Sequence, residues 1–334
     1  MSRLRLGVIG AGYWGEILIR IFNARDDAHI DVVCDVNAER RGMITNAKTV
    51  ATAAEVLGRD DVDAVLVATP PSTHAALAGA VLRADKHCWV EKPLAMRAAE
   101  ARELVNLARD RGRVLFVDET FLYDPLLEQA KAWIDAGRLG RLYHLSFERL
   151  AMGRIRRDSD VWWNAAPHDV AILCYLAPGN IERVQVERFA YVQPGIADVA
   201  VSTITLSGGV SAHISVSWLS PLKAARLLIV GSNGLLHYEG RFGQRALELF
   251  EYEVADPKTV ADNVVPIPTF AATARIRGGA EEPLALAAAA FLTSIRTGVP
   301  APSAGEYSQR VVEILEAGAA AGRAARARCS DESA

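Results

Sequence analysis

The stretch Gly10-Ala11-Gly12-Tyr13-Trp14-Gly15 constrains this chain more than any other. It stands between an apolar run, Leu4 to Ile9, that reads as a strand and an amphipathic run, Tyr13 to Ala24, that reads as a helix. In that position each glycine has a job. Gly10 permits a tight turn, Gly12 lets the backbone approach a pyrophosphate, and Gly15 lets helix and strand pack closely. The helix start, with Tyr13 and Trp14 in its first turn, offers N–H groups and partial positive charge to an anion. Asp35 follows 20 residues after Gly15, at the end of the next strand, where a carboxylate accepts ribose hydroxyls and repels a 2′-phosphate. The pattern therefore predicts a dinucleotide site favouring NAD over NADP, although Arg40 and Arg41 stand close enough in sequence to meet a phosphate.

The rest of the first third repeats the rhythm. Ile30–Cys34, Val62–Ala68, His87–Val90 and Val114–Val117 read as strands. Ala38–Ala47, Ser72–Ala84 (with Ser72 as N-cap) and Arg97–Arg111 read as helices. Alternating strands and helices predict an α/β fold with a parallel, doubly wound sheet, whose strand carboxyl ends line the ligand crevice. Glu91-Lys92-Pro93 directly follows such a strand end. Beside a cationic nicotinamide a lysine is disfavoured as a cation, so Lys92 can take a hydroxyl proton as a hydride leaves the neighbouring carbon.

Beyond about residue 120 the rhythm changes. Helices are expected at Pro125–Ala136 and about Pro167–Leu176, and a strand at Leu142–Leu150. Strand-like runs follow at 184–192, 199–206, 210–218, 226–230, 235–238 and 246–252, with turn signals at Gly208-Gly209 and Ser232-Asn233-Gly234. This predicts a mainly antiparallel sheet. A long loop is expected over Pro257–Gly279 and two Ala-rich helices over about 282–296 and 305–323. The expected domains are 1–120, 121–325 and a disordered tail, 326–334. Trp162-Trp163-Asn164, on a loop, supplies apolar walls for a ligand, and His168 is a candidate acid/base.

With 37 Lys and Arg against 40 Asp and Glu, the chain has no basic excess for a nucleic-acid partner. Its longest uncharged apolar run near the C-terminus, Leu284–Leu292, is too short for a membrane span. The N-terminus does not read as a signal peptide, and the four dispersed cysteines suggest neither a metal cluster nor a disulfide framework; a cytoplasmic setting is expected.

Taken together, GAGYWG, EKP and the Pro167-His168-Asp169 segment resemble the Gfo/Idh/MocA family of NAD(P)-dependent oxidoreductases, from Leu4 to about residue 320. Stretches such as VATPPSTHAALA (67–78) and WWNAAPHDVAIL (162–173) are similar to its sugar-nucleotide 3-dehydrogenase branch. The resemblance implies a Rossmann domain and a second α/β domain with an open-faced sheet that builds homodimers or homotetramers. It implies Lys92 and His168 as catalytic groups, and Thr69, Pro70, His74 and Glu91 among the cofactor contacts. Hydride would pass between a ring hydroxyl at the third carbon of a sugar, nucleotide-linked, and nicotinamide. A 3-ketosugar reductase and a non-catalytic nucleotide sensor remain open alternatives. Tyr123, Arg149, Arg154, Arg156, Trp162, Trp163 and Asn164 are the candidate substrate contacts, the arginines for a diphosphate. Two departures stand out. Asn164 replaces an Asp usual in the family, and Asp118-Glu119 stands where relatives carry Gly-His, so either those carboxylates point away from a polyanionic substrate or the substrate is less acidic.

Overall fold

The structure, a computed structural model, describes residues 3–152, 155–241, 243–252, 258, 271–321 and 324–326. In chain order the first elements are β1 (Leu4–Ile9), α1 (Tyr13–Asn23), β2 (Ala28–Cys34), α2 (Ala38–Met43), β3 (Lys48–Val50), α3 (Ala53–Leu57), β4 (Ala64–Val67), α4 (Pro71–Arg83), β5 (His87–Val90), α5 (Ala98–Arg111) and β6 (Leu115–Val117). A 3-10 turn, Thr120–Tyr123, leads to α6 (Pro125–Asp135), β7 (Leu142–Met152), α7 (Val161–Leu176), β8 (Ile181–Ala190), β9 (Val199–Leu206), β10 (Ser211–Ser217) and β11 (Leu219–Gly231). Then come β12 (Gly234–Glu239), β13 (Ala246–Glu251), β14 (Ala271–Arg277), α8 (Pro283–Thr297), α9 (Gly305–Ala321) and β15 (Ala324–Arg326).

Two units emerge from the chain's contacts. Met1–Tyr123 with Glu281–Glu316 forms one, and Asp124–Ala280 with Ala317–Ala334 the other. The first boundary falls three residues beyond the expected 120. The larger difference is that Glu281–Glu316, assigned to the second domain by sequence order, belongs with the first. Of the tail expected over 326–334, Arg326 instead ends a strand, and residues 327–334 lie outside the described residues.

The first unit holds a six-stranded parallel sheet ordered β3-β2-β1-β4-β5-β6. The order reverses between β1 and β4, which opens a crevice at their carboxyl ends. β4 reads Ala-Val-Leu-Val with every residue buried, as a strand covered on both faces must. On one face Trp89 stacks on Phe116 at 4.4 Å, and Phe22 of α1 and Phe291 of α8 meet Trp89 edge-on at 5.5 and 5.6 Å. Phe291 shows why α8 returns here: its ring completes an aromatic core whose other members lie some 200 residues earlier. The opposite face packs Val81, Leu82, Leu104 and Val105 of α4 and α5. The short elements β3 and α3 were not anticipated. Only α3 left a signal, the Thr52/Glu55 capping box.

The second unit carries a nine-stranded, mainly antiparallel sheet ordered β14-β13-β12-β11-β7-β10-β9-β8-β15. Hairpins join neighbours, but β7 inserts between β11 and β10 and runs parallel to β10. β14 falls within the stretch expected as a loop, and residues 257 and 259–270 of that stretch lie outside the described set. Asp124 caps α6 by accepting from the Leu126 N–H at 3.0 Å; its other oxygen accepts from Tyr238 at 2.8 Å and Arg245 at 3.2 Å, which ties the helix start to β12 and the β13 edge.

α7 starts at Val161, not Pro167. Asp160 caps it by accepting from the Trp163 N–H at 3.0 Å, so the tryptophan pair sits in a helix and not on a loop. Pro167 lies inside the helix, where it lacks the N–H that would have reached the Trp163 carbonyl.

Candidate active site

Four of the turns at the carboxyl edge of the parallel sheet carry the candidate residues. They follow β1, β4, β5 and β6 and carry Gly10–Gly15, Thr69-Pro70, Glu91-Lys92-Pro93 and Asp118-Glu119.

In the first turn Gly10 has φ +100°, and a Cβ there would lie 2.5 Å from the Ala68 carbonyl oxygen. A Cβ on Gly15 would lie 1.9 Å from the Gly10 carbonyl oxygen. These two glycines are demanded by the fold. Gly12 differs, since a Cβ there would meet only the Arg40 guanidinium, 3.6 Å away. Gly12 also gives α1 no side-chain cap, so the first-turn N–H groups depend on other acceptors. An open backbone at the mouth of an uncapped helix fits a dinucleotide pyrophosphate. Tyr13 and Trp14 flank it, 60% and 42% exposed.

Asp35 is buried, and both carboxylate oxygens accept backbone hydrogen bonds, from Ala11 at 2.8 Å and Asn37 at 2.8 Å. It thereby links the glycine turn to the end of β2. Arg40 stands 3.7 Å from the same carboxylate, while Arg41 donates to the Asp35 carbonyl at 2.7 Å.

α4 begins at Pro71 with Pro70 in the cap position, so Ser72 falls in its first turn rather than capping it. The Thr73 hydroxyl donates to the Pro70 carbonyl at 2.7 Å, which leaves Thr69 to donate to Thr73 at 2.7 Å. His74 is 1% exposed, and its ring nitrogens lie 2.7 Å from the Pro93 carbonyl and 2.8 Å from the Thr69 carbonyl. His74, expected among the cofactor contacts, is a strut tying the turn after β4 to the turn after β5.

Lys92 is half-buried at the end of β5. Glu91, expected at the cofactor, is 6% exposed and turned inward. Asp118 and Glu119 are buried too. Burial pushes the Glu119 carboxyl up to about 8. Burial, and then the charge of Asp118, pushes Glu91 well above the usual carboxylate range, and burial also raises Asp118.

In the second unit Asn164 and His168 lie one turn apart on α7, both half-buried. Most of the expected substrate contacts are otherwise engaged. Trp162 is wholly buried and Trp163 nearly so. Tyr123 is 5% exposed, stacks near Phe116, and shares a 2.8 Å hydrogen bond with Ser303, so it packs in the core of the first unit. Arg149 forks onto Asp169 of α7 at 2.6 and 3.1 Å, and Arg156 pairs with Asp158 at 2.6 Å. Neither guanidinium stands uncommitted for a diphosphate. Arg154 lies outside the described residues. Among the described residues no cluster of His, Cys, Asp or Glu could hold a metal, and no helix is long and apolar enough to cross a membrane.

The chain is similar to known proteins along most of its length. Residues 4–119 match a family described as oxidoreductase, NAD-binding Rossmann fold, of the Gfo/Idh/MocA type, and residues 127–237 match the Gfo/Idh/MocA C-terminal domain. The chain is 31% identical over 236 residues to UDP-N-acetylglucosamine 3-dehydrogenase from Acidithiobacillus ferrooxidans, covering 69% of this chain and 72% of that one. A solved structure of that enzyme superposes with TM-score 0.78 at 26% identity, covering 96% of this chain and 98% of the other. A 3-ketoreductase from Actinomadura kijaniata, solved with NADP and TDP-benzene, shares the fold with TM-score 0.84 at 20% identity, over 97% and 99% of the two chains.

Proposed function

The chain belongs to the Gfo/Idh/MocA family of NAD-binding oxidoreductases, and from that premise we propose that it oxidises a sugar ring hydroxyl, at the third carbon of a nucleotide-linked sugar. The observation that carries this reading is the convergence of the glycine turn, the Thr69-Pro70 turn and Lys92 on the carboxyl ends of β1, β4 and β5, at the reversal of strand order. NAD, when bound, supplies the hydride acceptor. The first turn of α1 and Gly12 hold its pyrophosphate, and Asp35 accepts from its ribose. Lys92 takes the proton of the substrate hydroxyl, held in place by a turn that His74 braces from beneath. His168, with Asn164 a turn away, is the second proton-handling and orienting group. Asn164 is neutral, so it orients an imidazole without stabilising its cation, and the main base role rests on Lys92.

The test is purified protein offered NAD with UDP- and dTDP-sugars, free sugars and inositols, and NADH with the matching 3-keto compounds, read at the nicotinamide absorbance. Turnover of a UDP-sugar is expected. Turnover confined to free polyols would overturn the nucleotide-linked assignment, a result that the committed Arg149 and Arg156 make worth testing for. Lys92→Met is expected to abolish turnover while NAD still binds; brisk turnover by that variant would reject the proton-transfer role.

A further inference from the structure

β5 and β6 are adjacent parallel strands with Val90 opposite Val117. The Asp118 N–H donates to the Val90 carbonyl at 2.9 Å, and the Glu91 N–H to the Val67 carbonyl at 2.9 Å. The residues leaving the two strands therefore emerge side by side, which puts Glu91, Asp118 and Glu119 in one buried cluster, 6%, 2% and 1% exposed. Glu91 donates a hydrogen bond to Asp118, and the Thr120 hydroxyl donates to Asp118 as well. Ser308 of α9 donates to one Glu119 oxygen at 3.4 Å. The second oxygen of Glu119 and one oxygen of Glu91 are enclosed with no hydrogen-bond partner. Lys92 is the cation that acts on all three carboxyls, and the Tyr123 hydroxyl, bonded to Ser303, is pushed up to about 12 mainly by burial, with the charges of Asp118 and Glu119 adding to the shift.

Three buried carboxylates cannot all be charged against one ammonium; ionising each in a low-dielectric site costs several kcal/mol unless it is paired. The cluster must keep protons at neutral pH. One carboxylate with one lysine cation is neutral overall, and so is a fully protonated cluster with a neutral amine. The two states interconvert by a single proton: an N–H bond of Lys92 breaks as an O–H bond of a carboxyl forms, and no net charge is created.

We propose that Glu119, backed by the Glu91–Asp118 pair, is a positioning residue that sets the protonation of Lys92, the buried carboxyls forming a proton store for that amine. This deepens the proposed function and rests on it for its catalytic meaning, because a base must arrive at the substrate without its proton. Glu119 touches neither substrate nor cofactor in this role.

The experiment needs no substrate. Lys92 of the full-length protein is titrated by competitive acetylation with acetic anhydride across pH, and its peptide is read by mass spectrometry. In Glu119→Gln the amine loses an anionic neighbour over the range where it titrates. Its apparent pKa is expected to fall by about one unit, a tenfold gain in the neutral amine at fixed pH. Asp118→Asn is expected to move it the same way and serves if the first variant folds poorly. A protonated-carboxyl infrared band titrating near pH 8 is expected in the parent protein and absent from Glu119→Gln. Unchanged Lys92 titration in folded, NAD-binding variants would overturn the proposal. The outcome separates from the catalytic reading. Turnover by Lys92→Met with a shifted Lys92 titration in Glu119→Gln would leave the proton store standing and remove the base role, whereas an inactive Lys92→Met with no shift would do the reverse.

Discussion

Gly12 and Gly15 look alike in sequence, yet the structure predicts opposite consequences for the same substitution. In Gly15→Ala the new Cβ would lie 1.9 Å from the Gly10 carbonyl oxygen, where ordinary contact begins at 3.4 Å, so something must move by 1.5 Å (3.4 − 1.9). Gly10 cannot give way. Its N–H is bonded to the Cys34 carbonyl at 2.8 Å, and it already stands against the Ala68 carbonyl. The displacement falls on α1, whose buried face includes Leu18, Ile21 and Phe22, and Phe22 meets Trp89 edge-on. Overpacking of this kind costs about 1–3 kcal/mol, and a loosened aromatic contact adds about 1 kcal/mol. Gly15→Ala should therefore lose about 2–4 kcal/mol of stability. Gly12→Ala meets only the end of the Arg40 side chain, and its φ of −77° suits any residue, so the loss should stay below about 1 kcal/mol. Its methyl would instead occupy the space proposed for pyrophosphate, and NAD affinity should fall at least about tenfold, about 1.4 kcal/mol. Urea unfolding followed by tryptophan fluorescence, with NAD titration of the folded variants, reads both. Equal destabilisation by the two substitutions, or undiminished NAD binding by Gly12→Ala, would refute the reasoning.

Two further outcomes are expected. Arg149→Met should leave Asp169 buried without its cation and cost about 3–5 kcal/mol in urea unfolding; a rise in KM with unaltered stability would instead make Arg149 a substrate ligand. Asp35→Asn keeps a hydrogen-bond acceptor but removes the charge that repels a 2′-phosphate and engages Arg40, so the ratio of NADP to NAD dissociation constants should fall at least about tenfold; an unmoved ratio would show that Asp35 does not discriminate.

The sequence by itself determined those features that are local in the chain: a parallel sheet from alternating strands and helices, a glycine turn feeding the first helix, and Lys92 at a strand end. Each of these rests on backbone geometry within a few residues, and such geometry leaves a period, a cap or an obligatory glycine to be read. Tertiary structure alone decided which charges met. Arg149 and Arg156 look like anion ligands in the chain, but partners across β7 and α7, or two residues along, had already neutralised them. His74 sits in a motif associated with the cofactor, yet two carbonyls from separate turns claim its ring. Asp118 and Glu119 follow a short strand with nothing to mark them as buried until β5 lies beside β6 and α9 closes over Glu119. Burial and charge pairing depend on residues tens to hundreds of positions apart, and so do the aromatic contacts that return α8 to the first sheet; no local pattern encodes them.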